Sequence, residues 1–251
     1  MGAKMSITFG RNHSASVRSL RQSSSENASA ANDTLPREAS VHHPLFRGVC
    51  IVGNGRSVLE QSLGHVVDRF ETVVRFNDFQ IAGYEDHVGS KTSIWVVSDY
   101  TIMKLLKKYP DRPLPVLCAI PFKFMGKDYY ESRRAQVEGE LVEAERKEEL
   151  TSAQRKRVSF VPMETARDLI EGRNFGDRWP SSGLLTIMHM LSSRQQQGGQ
   201  GRVYVHGFDF FKEIDGKIHY MEDTHTANHH AAEEEKICYE LKQQGRVRFL
   251  A

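Results

Sequence analysis

Val49-Cys50-Ile51-Val52-Gly53-Asn54-Gly55-Arg56-Ser57 is the stretch whose reading decides the fold. Four apolar residues closed by glycine predict a buried β-strand. Glycines at 53 and 55 let backbone approach a phosphate or ribose closely. Ser57 to Leu63 predicts the start of a helix, whose N-terminus would add unpaired N–H groups and a positive dipole end. As a dinucleotide fingerprint the stretch is incomplete, because Val58 stands where the third glycine belongs. A glycine turn holding no ligand is the competing reading.

Working outward, Thr72–Asn77, Ser93–Ser98, Leu114–Ile120, Arg202–Phe208 and Val247–Leu250 read as further strands, with a short one near Ser159–Pro162. Thr101–Lys108, Ser182–Leu191 and Ala231–Gln243 read as helices. Strands and helices alternating at this spacing predict βαβ units, hence an α/β fold around a mostly parallel sheet. Residues 131–157 mix Glu with Lys and Arg along a helical pattern. They read as a solvated helix held by i,i+4 pairs, with a lid over the site as the alternative. Gln and Gly at 195–201 predict a surface loop.

Residues 1–45 are rich in Ser, Ala and Asn and poor in large apolar side chains, so they read as a disordered tail ahead of a folded domain at 46–251. Sequons at Asn12, Asn27 and Asn32 suggest a glycosylated stalk. Met1-Gly2 with Ser6 fits a myristoylation pattern, and Lys4, Arg11, Arg18 and Arg21 fit a transit peptide. These readings contradict one another and fix no location. A net charge of +2 over 251 residues argues against a nucleic-acid binder. Three cysteines with no CxxC leave at most one disulfide. No apolar run of membrane-spanning length and no signal-peptide core are visible.

Three constellations carry chemistry. Arg75-Phe76-Asn77-Asp78 closes the second strand, and its asparagine offers donor and acceptor together. Pro180-Ser181-Ser182-Gly183 enters a helix, either as a simple cap or as a cradle of hydroxyls and N–H groups for an anion. His219-Tyr220-Met221-Glu222 is followed by His225, His229 and His230, with Glu234 and Glu235 beyond. A histidine there could deprotonate a sugar hydroxyl, and another could bond a leaving phosphate. His225 and His229 are four apart, which would also suit a zinc ion on one helical face, and with it a zinc hydrolase.

Together these pieces resemble the sialyltransferases. Cys50-Ile51-Val52-Gly53-Asn54-Gly55, Arg75-Phe76-Asn77 and Val88-Gly89-Ser90-Lys91-Thr92 look like that family's long motif. Pro180-Ser181-Ser182-Gly183 with Val203-Tyr204-Val205-His206-Gly207-Phe208 looks like its short motif, and His219-Tyr220-Met221-Glu222 like its third. The last motif, a His followed five positions later by a Glu, fits as His229 with Glu234 or as His230 with Glu235. The first register is preferred because Ile237, Cys238 and the closing strand then follow without a gap. Gly-Phe-Asp-Phe-Phe at 207–211 is also similar to the bacterial sialyltransferases.

The resemblance implies a Rossmann-like α/β domain of the GT-A variant type and a CMP-sialic acid donor acting as co-substrate. It implies no cofactor, no metal, and inverting transfer to a glycan hydroxyl by direct displacement. Asn54 and Asn77 would hold CMP, and Ser182 and Gly183 would contact the donor and its carboxylate. Gly53, Gly55, Ser181, Gly207 and Tyr220 complete the implied substrate-binding set. His229 would be the general base, with His230 as the alternative, and His219 would stabilise the departing phosphate. The family's animal members pair a long-motif cysteine with a short-motif one. Cys50 matches the first, and Leu191 to Arg202 holds no partner. The usual N-terminal anchor is not seen either. By resemblance the chain would work in the Golgi lumen, otherwise in the cytoplasm. Relatives using CMP-Kdo or CMP-Kdn donors remain open, as does a CMP-binding module that has lost activity.

Overall fold

A computed structural model describes residues 48–120, 126–171, 173, 175, 180–196, 203–221 and 230–250. All belong to the second of two units, Ala39–Ala251. The tail of residues 1–45 lies outside the described residues. So do Glu222, His225 and His229.

The apolar runs form β1 (Val49–Val52), β2 (Thr72–Phe76), β3 (Ile94–Ser98), β4 (Val116–Ala119), β5 (Val158–Phe160), β6 (Val203–His206) and β7 (Val247–Phe249). Every residue of β1, β4 and β6 is buried. Strands with no polar face belong inside a parallel sheet covered on both sides. They pair in parallel in the order β5-β4-β3-β2-β1-β6-β7. The chain thus steps outward from β1 to β5, then returns to lay β6 on the other side of β1. The register aligns Val49 with Thr72 on one flank and with Val203 on the other.

The helices are α1 (Gly64–Val67), α2 (Glu85–Val88), α3 (Ile102–Lys108), α4 (Gly126–Arg146), α5 (Ser152–Lys156), α6 (Met163–Ile170), α7 (Ser182–Gln196) and α8 (Ala231–Gln243). The helix expected from Ser57 is instead a 3-10 turn, Arg56–Glu60. α7 runs past Leu191 into the expected loop, and buries Leu184, Leu185, Ile187 and Leu191 against the sheet. α8 keeps its expected bounds. Glu233 and Glu234 stand in its first turn, favourable to its dipole, and Gly245 at φ 68° supplies the left-handed residue that ends it.

The charged stretch departs furthest from expectation. It breaks into α4 and α5, and α5 starts at a capping box in which Thr151 and Gln154 bond reciprocally (3.1 and 2.7 Å). α4 is not solvated all round. Tyr130, Val137, Leu141 and Ala144 are buried in the main core, on one helical stripe. Cys50, Cys118 and Cys238 are all buried and unbonded, so Cys50 takes no disulfide partner elsewhere. No helix among the described residues is long and apolar enough to cross a membrane.

Candidate functional site

Reversal of the winding between β1 and β6 opens a crevice at the strands' carboxyl ends, where ligands sit in open α/β sheets. The cavity there is lined by Gly53, Asn54 and Gly55 after β1, Phe76 and Asn77 at the end of β2, and Gly207 to Phe211 after β6. Ser181, Ser182 and Gly183 at the start of α7, with Ile218, His219 and Glu234, close it. Segments up to 181 residues apart in sequence therefore meet in one place, Gly53 to Glu234.

The crevice walls touch through backbone. Gly53 N donates to His206 O (2.7 Å) and Gly55 N to Gly207 O (3.0 Å). A Cβ on Gly53 would lie 2.3 Å from Gly207 O, so only glycine permits this approach. Gly207 itself has φ 70°, and its Cβ would fall 2.2 Å from Val58 Cγ1.

Asn77 sits at φ 48°, a left-handed conformation that asparagine tolerates. Its Oδ1 accepts from Ser98 N (3.1 Å) and Thr101 Oγ1 (3.3 Å), and its carbonyl accepts from Trp95 Nε1 (2.7 Å). With Oδ1 so fixed, the amide NH₂ of this cavity-lining residue is its side chain's donor group. Asn54 Nδ2 is 3.4 Å from Phe76 O, and Asn54 O accepts from Tyr220 N (2.9 Å). With an antiparallel bridge between Gly55 and His219, this holds the third motif against the first. Arg75, 1% exposed, is not among the cavity's lining. It donates to Val88 O (2.6 Å), Gly89 O (3.0 Å) and Lys91 O (3.1 Å), so its role is to tie the Val88–Thr92 turn to β2.

The expected N–H cradle after Gly55 is already occupied. Ser57 N donates to Asp209 Oδ2 (2.8 Å) and Ser57 Oγ to Asp209 Oδ1. A carboxylate there takes the place a phosphate would need. Sequence reasoning missed Asp209, although an acid just past a strand's carboxyl end was the signal that could have found it.

At α7 the capping reading of the serine pair holds. Ser181 Oγ accepts from Leu184 N (3.1 Å), an N-cap. Ser181 also donates through N (2.7 Å) and Oγ (2.6 Å) to the Glu234 carboxylate, joining the short motif to the last one. Glu234 is buried, and burial pushes its carboxyl up to about 7 against the pull of the Ser181 bonds.

Of the predicted site residues, the cavity brings together Gly53, Asn54, Gly55, Asn77, Ser181, Ser182, Gly183, Gly207 and His219. Tyr220 is not among its lining. It is 2% exposed, and its hydroxyl donates to Gln80 O and accepts from Gln80 N. His230 caps α8, its Nδ1 accepting from Glu233 N (3.2 Å). His229 lies outside the described residues, as does the His225–His229 pair considered for zinc.

A family model, glycosyltransferase family 29 (sialyltransferase), matches residues 4–246. The chain belongs to that family. Among curated members, a rat CMP-N-acetylneuraminate-beta-galactosamide-alpha-2,3-sialyltransferase 4 is 46% identical over 48 residues, 19% of this chain and 14% of the relative. A human CMP-N-acetylneuraminate-beta-1,4-galactoside alpha-2,3-sialyltransferase is 32% identical over 96 residues, 37% of this chain and 26% of the relative. The matched stretches thus span about a quarter or less of these sialyltransferases. A crystal structure of a mammalian sialyltransferase in complex with Gal-beta-1-3GalNAc-ortho-nitrophenol superposes with a TM-score of 0.55 at 19% identity, covering 81% of this chain and 69% of that one. The sialyltransferase fold is therefore shared, and the Rossmann-like α/β expectation holds.

Proposed function

We propose that this chain transfers sialic acid from CMP-sialic acid to a glycan hydroxyl, inverting the anomeric centre and using no metal. One observation carries the reading: a single crevice at the β1/β6 reversal gathers the glycine turn, two asparagine side chains, the serine pair and His219. The asparagine amides suit the ribose and cytosine edges. The start of α7, with Ser182 and Gly183, faces the donor carboxylate with N–H groups and the positive end of a 15-residue helix. His219 is the group beside the departing phosphate.

The base is His229. His230 is disfavoured on physical grounds, because its Nδ1 lone pair already accepts the Glu233 N–H. Taking a proton on Nδ1 would uncap α8, and in the neutral ring the remaining nitrogen carries the proton. On this proposal the reaction runs in the Golgi lumen.

The test incubates the protein with CMP-Neu5Ac and mixed galactoside and sialoside acceptors in EDTA, following CMP release and acceptor mass. Wild type adds one sialic acid, and His229→Ala lowers kcat by ~10²–10⁴. Loss confined to His230→Ala moves the base by one residue. Transfer only from CMP-Kdo or CMP-Kdn changes the sugar. If every donor fails while CMP still raises the melting temperature, the chain is a binding module.

A further inference from the structure

We propose that a second cleft, beside the donor crevice, is the subsite that holds a neutral pyranose ring of the acceptor glycan; this rests on the transferase reading above. The cleft lies between the turn after β3 and one face of α4. Tyr129, Arg133, Gln136 and Glu140 follow one another at steps of four, three and four, so they share a helical face. That face differs from the one carrying Tyr130, Val137 and Leu141 into the core. The helix that read as uniformly solvated thus has one face for folding and another lining a cavity.

The chemistry fits a sugar. Tyr100 is 56% exposed, a large aromatic surface offered to solvent, and its hydroxyl meets that of Tyr129 at 3.2 Å. An aromatic ring packs against the C–H face of a pyranose, while its hydroxyls need planar donors and acceptors around the edge. Arg133, Gln136 and Glu140 supply both kinds. Arg133 is held rigid: Nε donates to Asp99 Oδ2 (2.7 Å), Nη2 to Asp99 O (2.9 Å), and Nη1 lies 3.7 Å from Glu140. Asp99 is 2% exposed, and its Oδ1 has no hydrogen-bond partner among the described residues. Two carboxylates surround the one guanidinium, so the cleft has no spare positive charge for a phosphate or a carboxylate. A neutral polyhydroxyl ligand suits it better than an anion.

Position supports the assignment. Asn77 of the donor crevice is fixed by Ser98 N and Thr101 Oγ1, and the residues between them, Asp99 and Tyr100, line the cleft. One four-residue turn therefore serves both cavities. Group transfer needs the acceptor hydroxyl held next to the donor, and such a shared turn provides it.

Lactose is the probe. Its binding to wild type, Tyr100→Ala and Gln136→Ala is measured by saturation-transfer NMR, beside its KM in transfer from CMP-Neu5Ac and the melting shift produced by CMP. Wild type binds lactose, both variants weaken binding and raise its KM about tenfold, and the CMP shift is unchanged. Lactose affinity that does not change in the variants overturns the proposal. So does a CMP shift lost in parallel, or a wild type that does not bind lactose. If wild type binds lactose through Tyr100 yet transfers nothing, the transferase reading fails and the sugar subsite stands. If it transfers with an unchanged KM in both variants, the subsite fails alone.

Discussion

Glu234 lies 3% exposed between α8 and the start of α7, its two oxygens taken by Ser181 N and Oγ. Burial raises its carboxyl from 4.5 to about 7. A folded-state pKa above the unfolded value means the folded protein holds the proton longer. The stability this group contributes is complete below about pH 4.5 and is lost as pH rises to about 7. Glu234→Gln removes that dependence and can keep both Ser181 contacts. The melting temperature of the variant relative to wild type is therefore expected to rise between pH 4.5 and 7 and to level off above, by scanning fluorimetry across buffers. A difference that stays constant with pH would place the ionisation elsewhere. Gly207→Ala is expected to cost ~1–3 kcal/mol in denaturant unfolding, from the left-handed φ and the clash with Val58. At this scale the sequence was informative about residue types and silent about partners. Asn54 and Asn77 could be picked out as amides beside strands, but the Ser57–Asp209 contact spans 152 positions and no local pattern encodes it.

Among the elements, the buried strands were legible because four to five apolar residues in a row have little other use. α2 and α6 were not foreseen: the first is four residues long, and the second begins directly behind Pro162 in a stretch of mixed polarity. α4 was misjudged for a different reason. Glu, Lys and Arg crowd its sequence, and the stripe of Tyr130, Val137, Leu141 and Ala144 is narrow enough to be hidden among them. Its two sides should respond differently to truncation. Leu141→Ala is expected to lower stability by ~2–5 kcal/mol, the range for a buried leucine. Glu138→Ala, which removes only an exposed i,i+4 pair with Arg134, is expected to cost less than ~0.5 kcal/mol. Equal losses at the two positions would contradict the amphipathic placement of the helix.

The whole molecule adds what no segment holds alone. The return of the chain from β5 to β6 pairs residues 49–52 with 203–206 and creates the crevice. Composition and periodicity predict a parallel sheet but not its strand order, so the motif residues could be named from sequence while their meeting point could not. A ligand that binds only the closed crevice must stabilise the entire fold. CMP at a hundred times its Kd is expected to add ~2.7 kcal/mol, a rise of roughly 5–11 °C in Tm for a chain of this size. An unchanged Tm at saturating CMP would remove the nucleotide from the site.

The three cysteines give the fold an internal stopwatch. Burial pushes the thiols of Cys50 and Cys238 up to about 12 and that of Cys118 higher still, so at neutral pH essentially no thiolate exists to react. One stands in β1 beside the crevice, one in β4 towards the far flank, and one in α8 against β7. An alkylating reagent can reach each only when its own neighbourhood opens. The order in which the three thiols acquire label therefore reads out, residue by residue, which part of the sheet comes apart first. No cysteine has to be engineered into the chain to see it.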